Sequence, residues 1–215
     1  MNEEKIKGII FDLDGVICHT DKYHYKAWKS LADEIGVYFD EEINNRLRGV
    51  SRMESLEIML ERSEKTYTQQ EKFEFADKKN ERYKILLSEM SPVDLSDEVR
   101  NTLNELRKRG YKLLIGSSSK NAKFILERIG LGDYFDGISD GNNITNSKPH
   151  PEVFLKAAGF AGLIQEECVV VEDAEAGLIA AKAANMGAIA IGWAYGSPNA
   201  DWSIGSFGEL LGIYP

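Results

Sequence analysis

Two aspartates one residue apart, Asp12 and Asp14, end the apolar run Ile9-Ile10-Phe11 and are followed by Gly15. Like charges that close repel, so the pair calls for a cation, or one member keeps its proton. On its own the stretch could be a strand end with a solvated Asp-Gly turn. Three later features change that. Ser117-Ser118-Ser119-Lys120-Asn121 follows one apolar run, Glu172-Asp173 follows another, and Lys148 lies between them in Ser147-Lys148-Pro149. Together these residues suit phosphoryl transfer, which needs an in-line nucleophile, positive groups on the non-bridging oxygens and a proton shuttle. A carboxylate such as Asp12 can be the nucleophile by forming an aspartyl-phosphate. Asp14 can be the acid/base if its pKa is usable near neutrality, Ser117 can donate to the phosphoryl oxygens, and Lys148 can offset charge. Lys148 alone cannot balance four carboxylates. A hard divalent ion with oxygen ligands can, and Mg²⁺ is expected where phosphate is also bound.

For these residues to meet, the runs before them must be parallel strands. Continuous apolar runs with turn residues after them read as buried parallel strands, and open α/β sheets bind ligands at the carboxyl ends. Ile9-Ile10-Phe11, Lys112-Leu113-Leu114-Ile115-Gly116, Cys168-Val169-Val170-Val171 and Ala188-Ile189-Ala190-Ile191 fit, with a short strand expected within 134–138. Helices are expected between them: one capped by Ser96 and closed by Gly110, one running to Ile129, one with Pro151 in its first turn, and one ending near Met186. The tail with Trp193, Tyr195 and Trp202 has no clear pattern.

Residues 21–90 break this rhythm with helical patterns and no strand candidate. One helix is expected over about 23–34, ended by Gly36, and a weaker one over about 40–47. Ser51 with Glu54 and Thr68 with Glu71 have capping-box spacing and predict two more. Gly49-Val50-Ser51-Arg52 at a helix amino end, with Arg48 beside it, can form an anion site, although a capped helix with solvated arginines would look the same. His24 and Trp28 are four apart and neighbours on one helix, where simple packing is the plainer reading.

At 215 residues and 43% hydrophobic, the chain can bury one substantial core and a small second one. A net charge of −9 without a basic run argues against nucleic acid and anionic membranes as partners. No stretch reaches the roughly 18 apolar residues of a membrane span. Met1-Asn2-Glu3-Glu4-Lys5 lacks a signal-peptide pattern, and Cys18 and Cys168 lack metal-ligand spacing. A cytoplasmic monomer with free thiols is expected.

Phe11-Asp12-Leu13-Asp14-Gly15-Val16, the strand-end Ser117, Ser147-Lys148-Pro149 and Glu172-Asp173 together resemble the haloacid dehalogenase-like hydrolase superfamily. The likeness spans most of the chain. It implies a three-layer Rossmann-like parallel-sheet core, 1–19 and 92–215, with a small all-helical cap, 20–91, inserted after the first strand. Thr20, His24, Trp28, Gly49-Val50-Ser51-Arg52, Lys79-Asn80 and 117–121 are most similar to members that interconvert β-glucose 1-phosphate and glucose 6-phosphate through the 1,6-bisphosphate. By that resemblance Asp12 is the phosphorylated nucleophile and Asp14 the acid/base. Mg²⁺ is held by Asp12, the Asp14 carbonyl, Glu172 and Asp173. Ser117 and Lys148 bind the transferring group; Arg52 holds the other phosphate, supported by Ser119, Lys120 and Asn121, with Ser118 between them. His24 and Lys79 couple cap closure to Asp14, Thr20 is near the hinge, and Trp28 lines the sugar pocket.

The resemblance leaves other outcomes. A phosphatase on small sugar phosphates would share every core residue but needs no second phosphate site. A phosphonate hydrolase needs a cap lysine for a Schiff base, and no clear candidate is seen. A dehalogenase needs neither Asp14 nor Glu172-Asp173, and a non-catalytic module would not need the full acidic set. Two stretches depart from the superfamily pattern: Leu95-Ser96-Asp97-Glu98 replaces a frequent Pro-Gly turn, and Gly192-Trp193-Ala194-Tyr195-Gly196 is unusually bulky.

Overall fold

The computed structural model describes residues 6–214; the amino-terminal residues discussed above lie outside them. Six parallel strands form one sheet: β1 (Gly8–Phe11), β2 (Lys112–Gly116), β3 (Gly137–Ser139), β4 (Cys168–Glu172), β5 (Gly187–Ala190) and β6 (Trp202–Ser203), in the order β3-β2-β1-β4-β5-β6. The order reverses between β1 and β4, where a doubly wound sheet opens its ligand crevice. Register makes the strand ends level, with Phe11 beside both Ile115 and Val171.

Side chains alternate across the sheet, which separates two apolar layers. Ile9 and Phe11 are buried with Leu103 and Leu106 of α5 (Asp97–Lys108) and Ile125 of α6 (Ala122–Arg128). Ile10 and Val170 are buried on the other face with Phe154 of α7 (Glu152–Phe160) and Leu178 of α8 (Glu175–Ala183). This is a three-layer α/β fold. Pro151 lies just before α7 and not within it, and α8 stops short of Met186. The tail adds β6 and a short α9 (Leu210–Ile213), both too brief to leave a periodic pattern.

Between β1 and β2 the chain makes α1 (Asp21–Ile35), α2 (Glu41–Asn45), α3 (Arg52–Leu60) and α4 (Gln69–Leu87) before rejoining the core through α5. These four share an apolar centre of their own, with Trp28, Leu31, Ile43, Leu56, Met59 and Ala76. Thr68 and Glu71 form the full reciprocal cap of α4. At α3 Ser51 accepts from the Glu54 amide at 3.2 Å, and only that half of the box forms among the described residues. Both cysteines are free and buried, and no described helix is long and apolar enough to cross a membrane.

Candidate active site

A cavity of about 1000 Å³ lies between the carboxyl edge of the sheet and the helical block. β1 ends at Phe11, so Asp12 and Asp14 leave the strand on the following turn, and both still reach the cavity wall. Gly15, at φ +92°, lets this turn pass tight against the core: a Cβ here would collide with the Asp173 carboxylate. From the core side, Ser117, Ser118, Ser119, Lys120, Asn121, Lys148 and Asp173 also line the cavity. From the helical side come His24, Trp28, Gly49, Val50, Ser51, Arg52 and Lys79. Thr20 and Glu172, both fully buried, lie behind the wall.

Lys148 is 1% exposed and bridges the two central strand ends: its Nζ is 2.5 Å from Asp12 Oδ1 and hydrogen-bonded to Glu172 Oε1. Burial works against its charge, but Asp12 and Glu172 outweigh it and keep the ammonium protonated beyond the ordinary lysine range. One cation does not satisfy the cluster. Burial pushes Glu172 up to about 7 despite Lys148, and burial with the charges of Glu172 and Asp12 pushes Asp173 up to about 8. Burial, then the charge of Asp12, also lifts Asp14 to about 7, against the hydrogen bond it accepts from Thr20. A carboxyl poised there suits proton transfer near neutral pH.

Asp12, Glu172 and Asp173 each place a buried carboxylate oxygen within 4.8 Å of the others. Three hard oxygen donors carrying excess negative charge fit a divalent cation such as Mg²⁺. The Asp14 carboxylate is outside this cluster. Metal-free protein should therefore lose stability as pH rises. Glu172 and Asp173 have folded pKa values above their unfolded ones, so the folded state binds more protons between about pH 4 and 8. Stability is highest below that window and is lost through it. Chemical denaturation in EDTA should show a fall of about 2 kcal/mol or more from pH 5 to 8, because each pH unit over which the folded state holds one extra proton is worth about 1.4 kcal/mol. Adding Mg²⁺ at pH 8 should reverse it; a flat profile would contradict the uncompensated cluster.

On the helical side, Lys79 Nζ is 3.0 Å from His24 Nδ1, and His24 Nε2 is 4.0 Å from Asp14 Oδ1. Burial, with the charges of Lys79, Arg48 and Arg52, holds His24 well below its usual range, so the ring is neutral. Burial, with Arg52, brings Lys79 down to about 7. Arg52, in the first turn of α3, faces the cavity and is 3.7 Å from the exposed Asp77.

Two participants carry no role in the sequence reading. Tyr83, on α4, also lines the cavity, with its ring 4.1 Å from that of His24. Its position four residues after Lys79 was the available signal. Asn80 accepts from Asn121 Nδ2 at 3.0 Å and ties the helical block to the core; it stood beside Lys79 in the likeness without a function.

The haloacid dehalogenase-like hydrolase family model matches residues 6–185. A β-phosphoglucomutase of Bacillus subtilis (strain 168) is 42% identical over 87% of this chain and 84% of its own. A fructose-1-phosphate phosphatase of Escherichia coli (strain K12) is 31% identical over 86% and 96%. A crystal structure of a β-phosphoglucomutase from Clostridium difficile superposes with TM-score 0.90 at 36% identity, covering 97% of both chains. With strand order, acidic edge and buried lysine all in agreement, the chain belongs to the haloacid dehalogenase-like hydrolases.

Proposed function

We propose that this protein is a β-phosphoglucomutase, interconverting β-D-glucose 1-phosphate and D-glucose 6-phosphate through an aspartyl-phosphate and β-glucose 1,6-bisphosphate. The carrying observation is a single cavity with two polar ends: Asp12, Ser117 and Lys148 on the core, and Arg52 at the Ser51-capped amino end of α3 opposite. A hydrolase needs one phosphate site; a mutase needs two that face each other. The likeness to the mutases of B. subtilis and C. difficile supports this reading.

In this scheme residues 20–91 form a cap over a core of 1–19 and 92–215. Asp12, already carrying a phosphoryl group, passes it to the sugar monophosphate while Asp14 deprotonates the accepting hydroxyl. Once the bisphosphate has reoriented, Asp12 attacks the other phosphoryl group and takes it back while Asp14 protonates the oxygen that leaves. Ser117 donates to the phosphoryl oxygens and Lys148 offsets their charge. Mg²⁺, held by Asp12, the Asp14 carbonyl, Glu172 and Asp173, would supply further positive charge to the transferring group. Arg52 grips the phosphate that does not react, with Ser119, Lys120 and Asn121 across the cavity. The bisphosphate then turns end for end, for which a cavity of about 1000 Å³ leaves room. His24 and Lys79 hold Asp14 when the cap is down, and closure keeps water from the aspartyl-phosphate.

The second reading is a Mg²⁺-dependent phosphatase on small sugar phosphates, favoured by the relative that is a fructose-1-phosphate phosphatase. An assay with β-glucose 1-phosphate, Mg²⁺ and trace glucose 1,6-bisphosphate, following glucose 6-phosphate and free phosphate together, separates the two. Glucose 6-phosphate outrunning free phosphate is the expected result; the reverse would make it a phosphatase. Arg52→Ala should lower kcat/KM for the mutase reaction about 10- to 100-fold, the loss of one or two charge-assisted hydrogen bonds. It should spare hydrolysis of a substrate with a single phosphate, and equal losses on both would remove Arg52 from the second site.

A further inference from the structure

We propose that Arg48 and Trp193 form a clasp that holds the helical block down on the core, with Arg48 a positioning residue. Arg48 lies in the loop between α2 and α3, and Trp193 lies in the turn after β5. The Arg48 guanidinium carbon is 4.8 Å from the Trp193 ring centroid, within cation–π range. Its Nη1 donates to Asp21 Oδ1 at 2.6 Å, at the first residue of α1, and is 3.9 Å from Asp173 Oδ2 on the core. One side chain thus joins the entry to the helical block, the α2–α3 loop and the sheet edge.

The backbone beside it agrees independently. Gly49 has φ +72°, and a Cβ there would come within 3.0 Å of the Ala174 Cβ and 3.7 Å of the Ala176 Cβ. The loop is therefore seated on the start of α8, and a side chain at this position would lift it off. Trp193 remains 68% exposed, and one face of its ring meets the Arg48 guanidinium. The buried Nε of Arg48 has no hydrogen-bond partner, and Nη1 and Nη2 donate to Asp21 and Asn45 of the helical block, so what reaches the core from this side chain is stacking on Trp193 and the charge of Asp173. Such a tie can release. Asn80 and Asn121 make a second tie between the helical block and the core, so opening requires both to part.

The clasp itself stands on contacts alone. Its consequence rests on the proposed mutase reading: a weaker clasp lets water reach the aspartyl-phosphate, and more phosphoryl groups are lost as free phosphate. The test compares Trp193→Ala, Trp193→Phe and Arg48→Met by amide hydrogen exchange at 46–50 and 173–176 in the substrate-free enzyme, with melting temperature as the folding control. Trp193→Ala and Arg48→Met should speed exchange in both segments roughly two- to fivefold, the size of one exposed cation–π contact, while Trp193→Phe stays near wild type. In turnover, Trp193→Ala should raise the ratio of free phosphate to isomerised sugar by a similar factor. Unchanged exchange in Trp193→Ala, or a phenylalanine variant as fast as the alanine one, overturns the clasp. Exchange needs no substrate, so a wild type that isomerises no sugar would sink the mutase reading and still leave the clasp decided.

Discussion

Asp12→Asn should abolish turnover, by at least ~10⁴-fold, while leaving the fold intact, because it removes the proposed nucleophile, and one charged Mg²⁺ ligand with it, at nearly constant shape. The amide has nearly the shape of the carboxylate but cannot form the aspartyl-phosphate. Lys148 loses a charged partner 2.5 Å away and keeps Glu172. Removing one charge from a crowded acid cluster also relieves repulsion on Glu172 and Asp173, both of which Asp12 pushes upward. In metal-free buffer the melting temperature should therefore hold or rise. Acid-quenched labelling should find no phosphoenzyme, and both glucose 6-phosphate and free phosphate should cease together. Residual activity within tenfold of wild type would remove Asp12 from the centre of the chemistry. Loss of activity with a large drop in melting temperature would show only that the site had collapsed.

How much of this could be read from the sequence depended on the range of the interaction. β1, β2 and β4 were visible because strands buried on both faces are continuous apolar runs, and their polar ends then fall at one sheet edge. The starts of α3 and α4 were visible because Ser51 and Thr68 act on amides three residues away. β6, with two residues, is too short for any periodicity to register. The ties between the helical block and the core had no local signature. Asn80 with Asn121, and Arg48 with Trp193, meet only because α1–α4 pack as a unit and then settle on the sheet. Arg48 reads in the sequence as half of an anion site, whereas in the fold its nearest partner is the carboxylate of Asp21. The bulky 192–196 segment was visible as an oddity and acquires a reason only when the loop carrying Arg48 lies beside it.

Lys148→Met tests the electrostatic design where its effect on stability is largest. The ammonium is 1% exposed and is the common partner of Asp12 and Glu172, with its Nζ also 4.9 Å from the Phe154 ring centroid. Methionine fills much of the same volume, so the change chiefly removes charge. Two buried carboxylates are then left uncompensated, and breaking a buried pair in this way costs about 3–5 kcal/mol. The sign of the pH dependence follows. Without the ammonium the folded-state pKa of Glu172 rises further above its unfolded value, so the folded protein binds protons that the unfolded chain releases. The deficit against wild type should be small near pH 5, where Glu172 is protonated, and full by pH 8. Denaturant titrations in EDTA at both pH values measure it, and Glu172→Gln added to Lys148→Met should recover part of the loss by removing one of the two stranded charges. A deficit below about 1 kcal/mol at pH 8 would mean that water reaches these carboxylates, since a desolvated pair cannot lose its cation so cheaply. In that case the excess negative charge at the sheet edge would be shared with solvent, and the physical reason for a divalent cation there would weaken with it.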